Sequence, residues 1–480
     1  MKELKEQTQI LEPTIQVNPR DLVEKILQLN PQIIGLGVYI WNAQQSLEIV
    51  TLLKKIAPQI PVVLGGPEVS FESEQQEIVK KADYLIQGEG DFQFYQLCKT
   101  LIAGQKPDKK IFPALLPDIK DISLPYELFT DEDIKNRIIY VEASRGCPYK
   151  CEYCLSSLDK QVRSFQLENF LGEIQKLMDR GARTFKFVDR TFNLSPTTSI
   201  KILEFFLQRI DLELFLHFEM VPDRLPEELK DLIKKFPDGS LQFEIGIQTW
   251  NTEVAALVSR KNDFEKVKEN IRFLMTETKV HIHADLIAGL PGESLESFGR
   301  GFDALSELGP HEIQVGILKR LKGTPIIRHD QKWEMVYSDQ QPFQILKTKE
   351  MSFDDLQFMN RFAKFWDHYA NSGQFMESFV WIKKTDSSLF AAFSEFTRFL
   401  STRFATTHNI SLESLAEALW VYLSQTKALN PELVRTTLIQ DYCYRVKRRD
   451  IPHFLKESQV YSTQKRESSL QKRQQAHHKT

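Results

Sequence analysis

From Ile138 onward six short apolar runs recur, each separated from the next by a helical stretch. They are IIYVEAS (138–144), TFKFVDRTF (184–192), LFLHFEMV (214–221), LQFEIGIQT (241–249), VHIHADLIAG (280–289) and HEIQVGILK (311–319). Short strands separated by helices imply a parallel sheet, because parallel neighbours need a crossover of a dozen or more residues. LENFLGEIQKLMDRG is one such crossover, with Gly181 at a C-cap position. Six consecutive units of similar size predict a partial (β/α)6 barrel of the TIM type rather than an open sheet.

The same alternation, on a smaller scale, precedes the barrel. QIIGLGVYIW (32–41), PVVLGG (61–66) and ADYLIQGEG (82–90) read as strands, with helical stretches after each. They predict a flavodoxin-like parallel sheet over residues 1–105, shortened at its start. Residues 106–136 carry several Pro and Asp and read as a linker, and the barrel section is taken as 137–325. After Thr324 the strands are expected to stop. Residues 340–460 carry helical periodicity, as in FDDLQFMNRFAKFWDHYA and SLFAAFSEFTRFLSTRF, whose aromatic stripes suit a helical core. The polar stretch 463–480 is expected to be disordered.

Net charge is −3, with both signs mixed along the chain, which gives no electrostatic footprint for nucleic acid or an anionic membrane. No apolar run reaches the ~18 residues of a membrane span, and MKELKEQTQILEP lacks the apolar core of a secretion signal. The expectation is a soluble cytoplasmic protein. Five cysteines, three of them within eight residues, do not form a disulfide framework. Cys98 and Cys443 stand alone in apolar helical contexts and read as small core side chains.

The three clustered thiols carry the chemistry. EASRGCPYKCEYCL places Cys147, Cys151 and Cys154 in a C-x3-C-x2-C spacing at the end of the first barrel strand, on the rim where barrel enzymes place their chemistry. Thiolates suit zinc and iron–sulfur clusters alike. A structural zinc site closes itself with four ligands, whereas here the next His is His217. A cubane held by three cysteines would leave one iron open to substrate, and three ligands with a vacancy point to catalysis; a zinc knuckle lacking its fourth ligand is the alternative.

With this spacing, and Tyr153 just before the third cysteine, the chain resembles the radical S-adenosylmethionine (SAM) superfamily. The resemblance implies a 4Fe–4S cluster whose open iron is chelated by the amino and carboxylate groups of SAM. Reductive cleavage of SAM would then give a 5′-deoxyadenosyl radical that abstracts hydrogen from substrate. It also implies an external electron donor of flavodoxin or ferredoxin type. Asp189, in FVDRTFN, stands where the family binds the SAM amino group, although the usual Gly-Gly-Glu-like segment is missing. Glu219 could take the ribose hydroxyls. Glu244, Gly246 and Gln248 share one strand face by the period of two. Arg260 lies twelve residues beyond Gln248, and in the branch resembling oxygen-independent coproporphyrinogen oxidases such a Gln and Arg bind the SAM carboxylate. Asp285 and Ile287 match the family's ribose and adenine contacts.

The first section resembles the cobalamin-binding domain that precedes the barrel in one subgroup, through GVYIWN, LGGPEVS and LIQGEGD. Gly65 and Gly66 after a strand would let the backbone approach a corrin. The Asp-x-His-x-x-Gly loop is absent, since no His precedes His217. The domain is therefore expected either to hold cobalamin without that loop or to persist as a scaffold. The C-terminal helices resemble an uncharacterised domain appended to members of this subgroup. These features together describe an enzyme cleaving SAM, with methyl transfer or rearrangement on an unknown substrate. The rival is a non-catalytic iron–sulfur or zinc module serving redox relay or interaction. A methylthiotransferase would need a second three-cysteine cluster, for which Cys98 and Cys443 are too few.

Overall fold

In the computed structural model, residues 2–446 and 451–456 are described; the polar tail expected over 463–480 lies outside them. The first sheet is parallel, in the order β1 (Ile34–Gly37), β2 (Val62–Gly65), β3 (Tyr84–Ile86), β4 (Ile111–Phe112). The fourth strand falls inside the stretch expected to be a linker. Its two residues, between Lys110 and Pro113, are too few for an alternation to show in the sequence. The same stretch also holds a short helix, Asp131–Asn136, closed by a capping box between Thr130 and Asp133.

The second sheet contains β5 (Ile139–Val141), β6 (Thr184–Phe187), β7 (Phe215–Met220), β8 (Leu241–Gln248), β9 (His281–Ala288) and β10 (Glu312–Ile317). All neighbours are parallel and consecutive in sequence, as a (β/α)6 arrangement requires. The period of two sorts the side chains onto two faces. Phe185, Phe187, Leu216, Phe218, Phe243 and Ile245 fall on the buried face, with Phe187 and Phe218 centroids 4.4 Å apart. Full burial of each such side chain stabilises the fold by about 1.5–3 kcal/mol, so this face holds the sheet together. On the other face the register aligns Lys186 with His217, and Glu244 with Glu219 and His283. A charged row of this kind lies on a sheet where it is paired within itself or meets water or a ligand.

Beyond the barrel sheet the described residues form five α-helices: Phe353–Trp366, Met376–Lys383, Leu389–Arg403, Leu412–Val421 and Pro431–Ile439. Phe362, Trp366, Phe393 and Phe396 form their aromatic core. Strands do not stop at Thr324, because Val336–Tyr337 and Ile345–Lys347 form an antiparallel pair. The helical section also closes the last barrel strand. Asn371 accepts from Ile313 N and donates to Ile313 O, both at 3.0 Å, as a further strand would at that edge.

The strand ends of the two sheets face each other through ion pairs. Glu89, after β3, pairs with Arg145 at 2.8 Å and with Arg163; Glu72 pairs with Arg320 at 3.0 Å; Glu68 pairs with Lys322. Among the described residues no helix is long and apolar enough to cross a membrane.

Candidate functional site

The loop after β5 is shaped by its own backbone. Ser144–Arg145 pairs antiparallel with Arg163–Ser164, which closes the chain between them into a loop. Gly146 turns at φ 91° where a side chain would run into the Gln161 carbonyl, and Cys147 N donates to Asp159 O at 2.8 Å. Cys147, Cys151 and Cys154 are free thiols, the first two buried and the third half-buried. All three line one cavity of about 830 Å³, its open mouth included.

Opposite the thiols lies the end of β8. Gly246 is bare on the cavity side, where a Cβ would collide with the Gln248 amide and stand 3.8 Å from Arg260 Nη2. Gln248 has a positive φ of 73° at the point where the register of β8 with β9 shifts. Arg260 donates to the Gly246 carbonyl and lies 3.5 Å from both Cys151 Sγ and Tyr153 Oη. A fixed guanidinium beside a thiol is placed to receive a carboxylate.

Below this lies the row of charges. Glu244 Oε2 stands 3.1 Å from His217 Nε2 and 3.3 Å from Lys186 Nζ. The adjacent His217 imidazole, with Lys186 adding to it against the cost of burial, pulls Glu244 down to about 2. Asp285 is driven the other way, well above the ordinary carboxylate range, by burial and by the charges of Glu244 and Glu219. Glu219 pairs with Arg190 at 3.1 Å; burial nevertheless raises it.

The donor set fits a cluster with a sulfonium ligand. Burial raises the Cys147 thiol, so the thiolate form needs a positive partner, which iron provides. The Tyr149 hydroxyl is buried without a hydrogen bond, Asp285 Oδ1 has His283 Nε2 at 3.5 Å, and both Tyr149 and Asp285 line the cavity.

The cavity brings together Cys147, Cys151, Cys154, Tyr153, Glu219, Gln248, Arg260 and Asp285. Asp189 and Ile287 do not line it. Asp189 is 4% exposed and turns both oxygens to the end of β5, accepting from Ala143 N at 2.9 Å and Ser144 Oγ at 2.6 Å. It braces the start of the cysteine loop, while the next two residues, Arg190 and Thr191, reach the cavity. Ile287 packs partly buried beside Gly316. Gly66 has φ 100° and a Cβ there would meet the Val38 carbonyl at 2.5 Å, so its bare side faces its own sheet. Gly65 lies nearest the Ile86 carbonyl. At the end of β1, Tyr39 and Trp41 stack at 4.6 Å and remain exposed, a flat aromatic surface on the edge a corrin would use. Sequence reasoning passed over Lys186, His217, His283 and Tyr149. His217 and His283 were within reach, each two residues before an acid already noted on the same strand face.

The cavity lies at the strand ends of a six-stranded parallel sheet, within a stretch that matches a known family. Residues 141–305 match the radical SAM superfamily, 4–97 a B12 binding domain, and 331–480 a domain described as a protein of unknown function (DUF4080). The chain thus carries a radical SAM domain preceded by a B12-binding domain. It is 24% identical to the cobalamin-dependent radical SAM methyltransferase TokK of Streptomyces tokunonensis, over 64% of this chain and 50% of that one. It is 25% identical to the 2-(S-pantetheinyl)-carbapenam-3-carboxylate methyltransferase of Streptantibioticus cattleyicolor, over 59% and 46%. The chain thus spans about half the length of the curated relatives it matches. Its fold is similar to that of the radical SAM methyltransferase TsrM from Kitasatospora setae, solved with cobalamin and a 4Fe–4S cluster (TM-score 0.54, 17% identity, 67% of this chain and 70% of that one).

Proposed function

We propose that the protein is a radical SAM enzyme that uses cobalamin in methyl transfer to an organic substrate. The observation that carries this reading is the convergence of three thiols from one loop with Gly246 and Arg260 on a single cavity. When bound, a reduced cluster supplies the electron that breaks a sulfonium C–S bond, and a corrin supplies a methyl carrier. The chain's own residues do the rest. Cys147, Cys151 and Cys154 hold the cluster and leave one corner to the ligand. Arg260 receives the carboxylate, and the missing side chain at Gly246 lets the ligand lie against β8. Glu219 and Asp285 face the ribose. Burial and its carboxylate neighbours make Asp285 hold its proton more tightly, and in that protonated form it can donate a hydrogen bond where an ionised group could only accept. Asp189 acts indirectly, by fixing the strand end from which the cysteine loop departs.

The B12-binding match, the facing strand ends and the exposed Tyr39–Trp41 pair support a corrin between the first sheet and the barrel rim. We further infer an electron donor of flavodoxin or ferredoxin type and a cytoplasmic setting, which suit an oxygen-sensitive cluster. The test is anaerobic reconstitution with iron and sulfide, followed by reduction in the presence of SAM. Formation of 5′-deoxyadenosine or S-adenosylhomocysteine, lost in Cys151→Ala, supports the reading. Bound metal with no SAM turnover, under conditions where a cobalamin-dependent relative works, would favour a redox or interaction module instead.

A further inference from the structure

Between Cys151 and Tyr153 lies a residue that takes no part in the cavity yet is the most enclosed charge of the cysteine loop. The Glu152 side chain is 3% exposed. Ser259 Oγ and Arg328 Nη2 both donate to Oε1, and His329 Nε2 stands 3.0 Å from Oε2. The main chain is held as tightly. Glu152 N donates to Val258 O at 3.1 Å, and Ile326 N donates to Glu152 O at 3.0 Å. Arg328 Nη2 also reaches the Leu257 carbonyl at 3.3 Å.

Burying a carboxylate costs several kcal/mol before its partners repay it, and an apolar side chain of similar size would stabilise a fold at least as well. What such a group does well is fix one arrangement of the parts around it. Here the parts are three. One is the cysteine loop itself. A second is the turn that ends the helix Thr252–Leu257, where Ser259 adopts φ 55° and Arg260 N donates back to Ala255 O at 2.8 Å. The third is the turn Pro325–His329, which leads into the C-terminal section. The residues on either side of Glu152 are the ones that Arg260 touches, Cys151 and Tyr153. The loop therefore grips the 258–260 turn twice, from the cavity through Arg260 and from behind through Glu152.

We propose that Glu152 is a positioning residue for the sulfonium ligand: it sets the 258–260 turn so that Arg260 presents its guanidinium beside Cys151. Through Arg328 and His329 it also makes the entry to the C-terminal section a structural part of the SAM site. This rests on reading the cavity as a SAM site, and the test separates the two. The full-length protein, reconstituted anaerobically, is compared with Glu152→Ala, Glu152→Gln and His329→Ala. Iron and sulfide per chain, the SAM dissociation constant by equilibrium dialysis and the SAM-induced change in the spectrum of the reduced cluster are measured on each.

Glu152→Ala is expected to keep its iron and sulfide and to bind SAM at least about tenfold more weakly, a loss of about 1.4 kcal/mol. Glu152→Gln, which still accepts from Ser259, should fall between it and the native protein. His329→Ala, which touches neither a cysteine nor the cavity, should weaken SAM binding in the same direction and leave the iron unchanged. The proposal is overturned if all three variants bind SAM as the native chain does. It is equally overturned if SAM binding falls only in proportion to lost iron while His329→Ala changes nothing, since Glu152 would then merely hold the loop. Failure of the native, cluster-loaded protein to bind SAM would overturn the SAM reading itself, and this proposal with it.

Discussion

The two parallel sheets point their strand ends at each other, and the two ends are chemically opposite. On the first sheet they carry Glu68, Glu72, Glu89 and Asp91; on the barrel rim they meet Lys322, Arg320, Arg163 and Arg145. The glycines differ as well. Gly66 is bare because the backbone of Val38 leaves no room, whereas Gly246 is bare towards a cavity, with only the ends of Gln248 and Arg260 nearby. One glycine is required by the fold, and the other faces the cavity proposed to hold the ligand. A Gly after a strand is thus no evidence of a ligand until the atoms beside it are known.

The largest effect that would sharpen this contrast is expected from Cys151→Ala. Cluster iron should fall to background in that variant, while cobalamin binding, followed by its visible spectrum, should persist because the first sheet is untouched. Loss of both together would break the separation of roles. Next come the two glycines. Gly66→Ala should destabilise the first sheet by about 3 kcal/mol, from a left-handed φ and a backbone clash that cannot be relieved, read as a lowered melting transition. Gly246→Ala should leave melting almost unchanged, since a flexible amide can move away, and weaken SAM binding at least about tenfold, or about 1.4 kcal/mol.

A third contrast is in pH. Glu293, 1% exposed after β9, accepts from Thr249 Oγ1 at 2.6 Å, but burial pushes its carboxyl up to about 7. A folded pKa above the ordinary 4.5 means that the stability from this group is full below 4.5 and lost as pH rises through about 7. The barrel's stability should therefore decline over that window by an amount on the order of 3 kcal/mol. Melting temperatures recorded across the window should show the decline, and Glu293→Gln should flatten it. The smallest effect is at the ion pairs between the sheets. They are partly exposed, so Glu89→Gln should cost about 1 kcal/mol. High salt should weaken the native contact similarly, seen in calorimetry as two transitions drawing apart.

Much of this architecture is legible in the sequence. The barrel strands announce themselves because apolar residues recur at every second position of their buried face. Phe185 and Phe187 do so on β6, Leu216 and Phe218 on β7, and Phe243 and Ile245 on β8. The cysteine loop and Arg260 were legible from spacing and resemblance. What was not legible depended on orientation or distance. Asp189 sits at a strand end like the other acids, and only the position of Ala143 N and Ser144 Oγ shows that it faces away from the cavity. The strands Ile111–Phe112 and Val336–Tyr337 are two residues long, too short for any period to appear. Ser259 and His329, the partners of Glu152, lie 107 and 177 positions along the chain from it, where no local pattern reaches.

A cubane held by three thiolates, with one corner left for SAM, is the claim on which the rest depends. Its most direct measurement is electron paramagnetic resonance of the anaerobically reconstituted, reduced protein, recorded with and without SAM. The expected result is a 4Fe–4S signal whose g-values shift when SAM is added and which is absent from Cys151→Ala. Tetrahedral zinc in place of iron, or a cluster signal that SAM leaves unchanged, would contradict it.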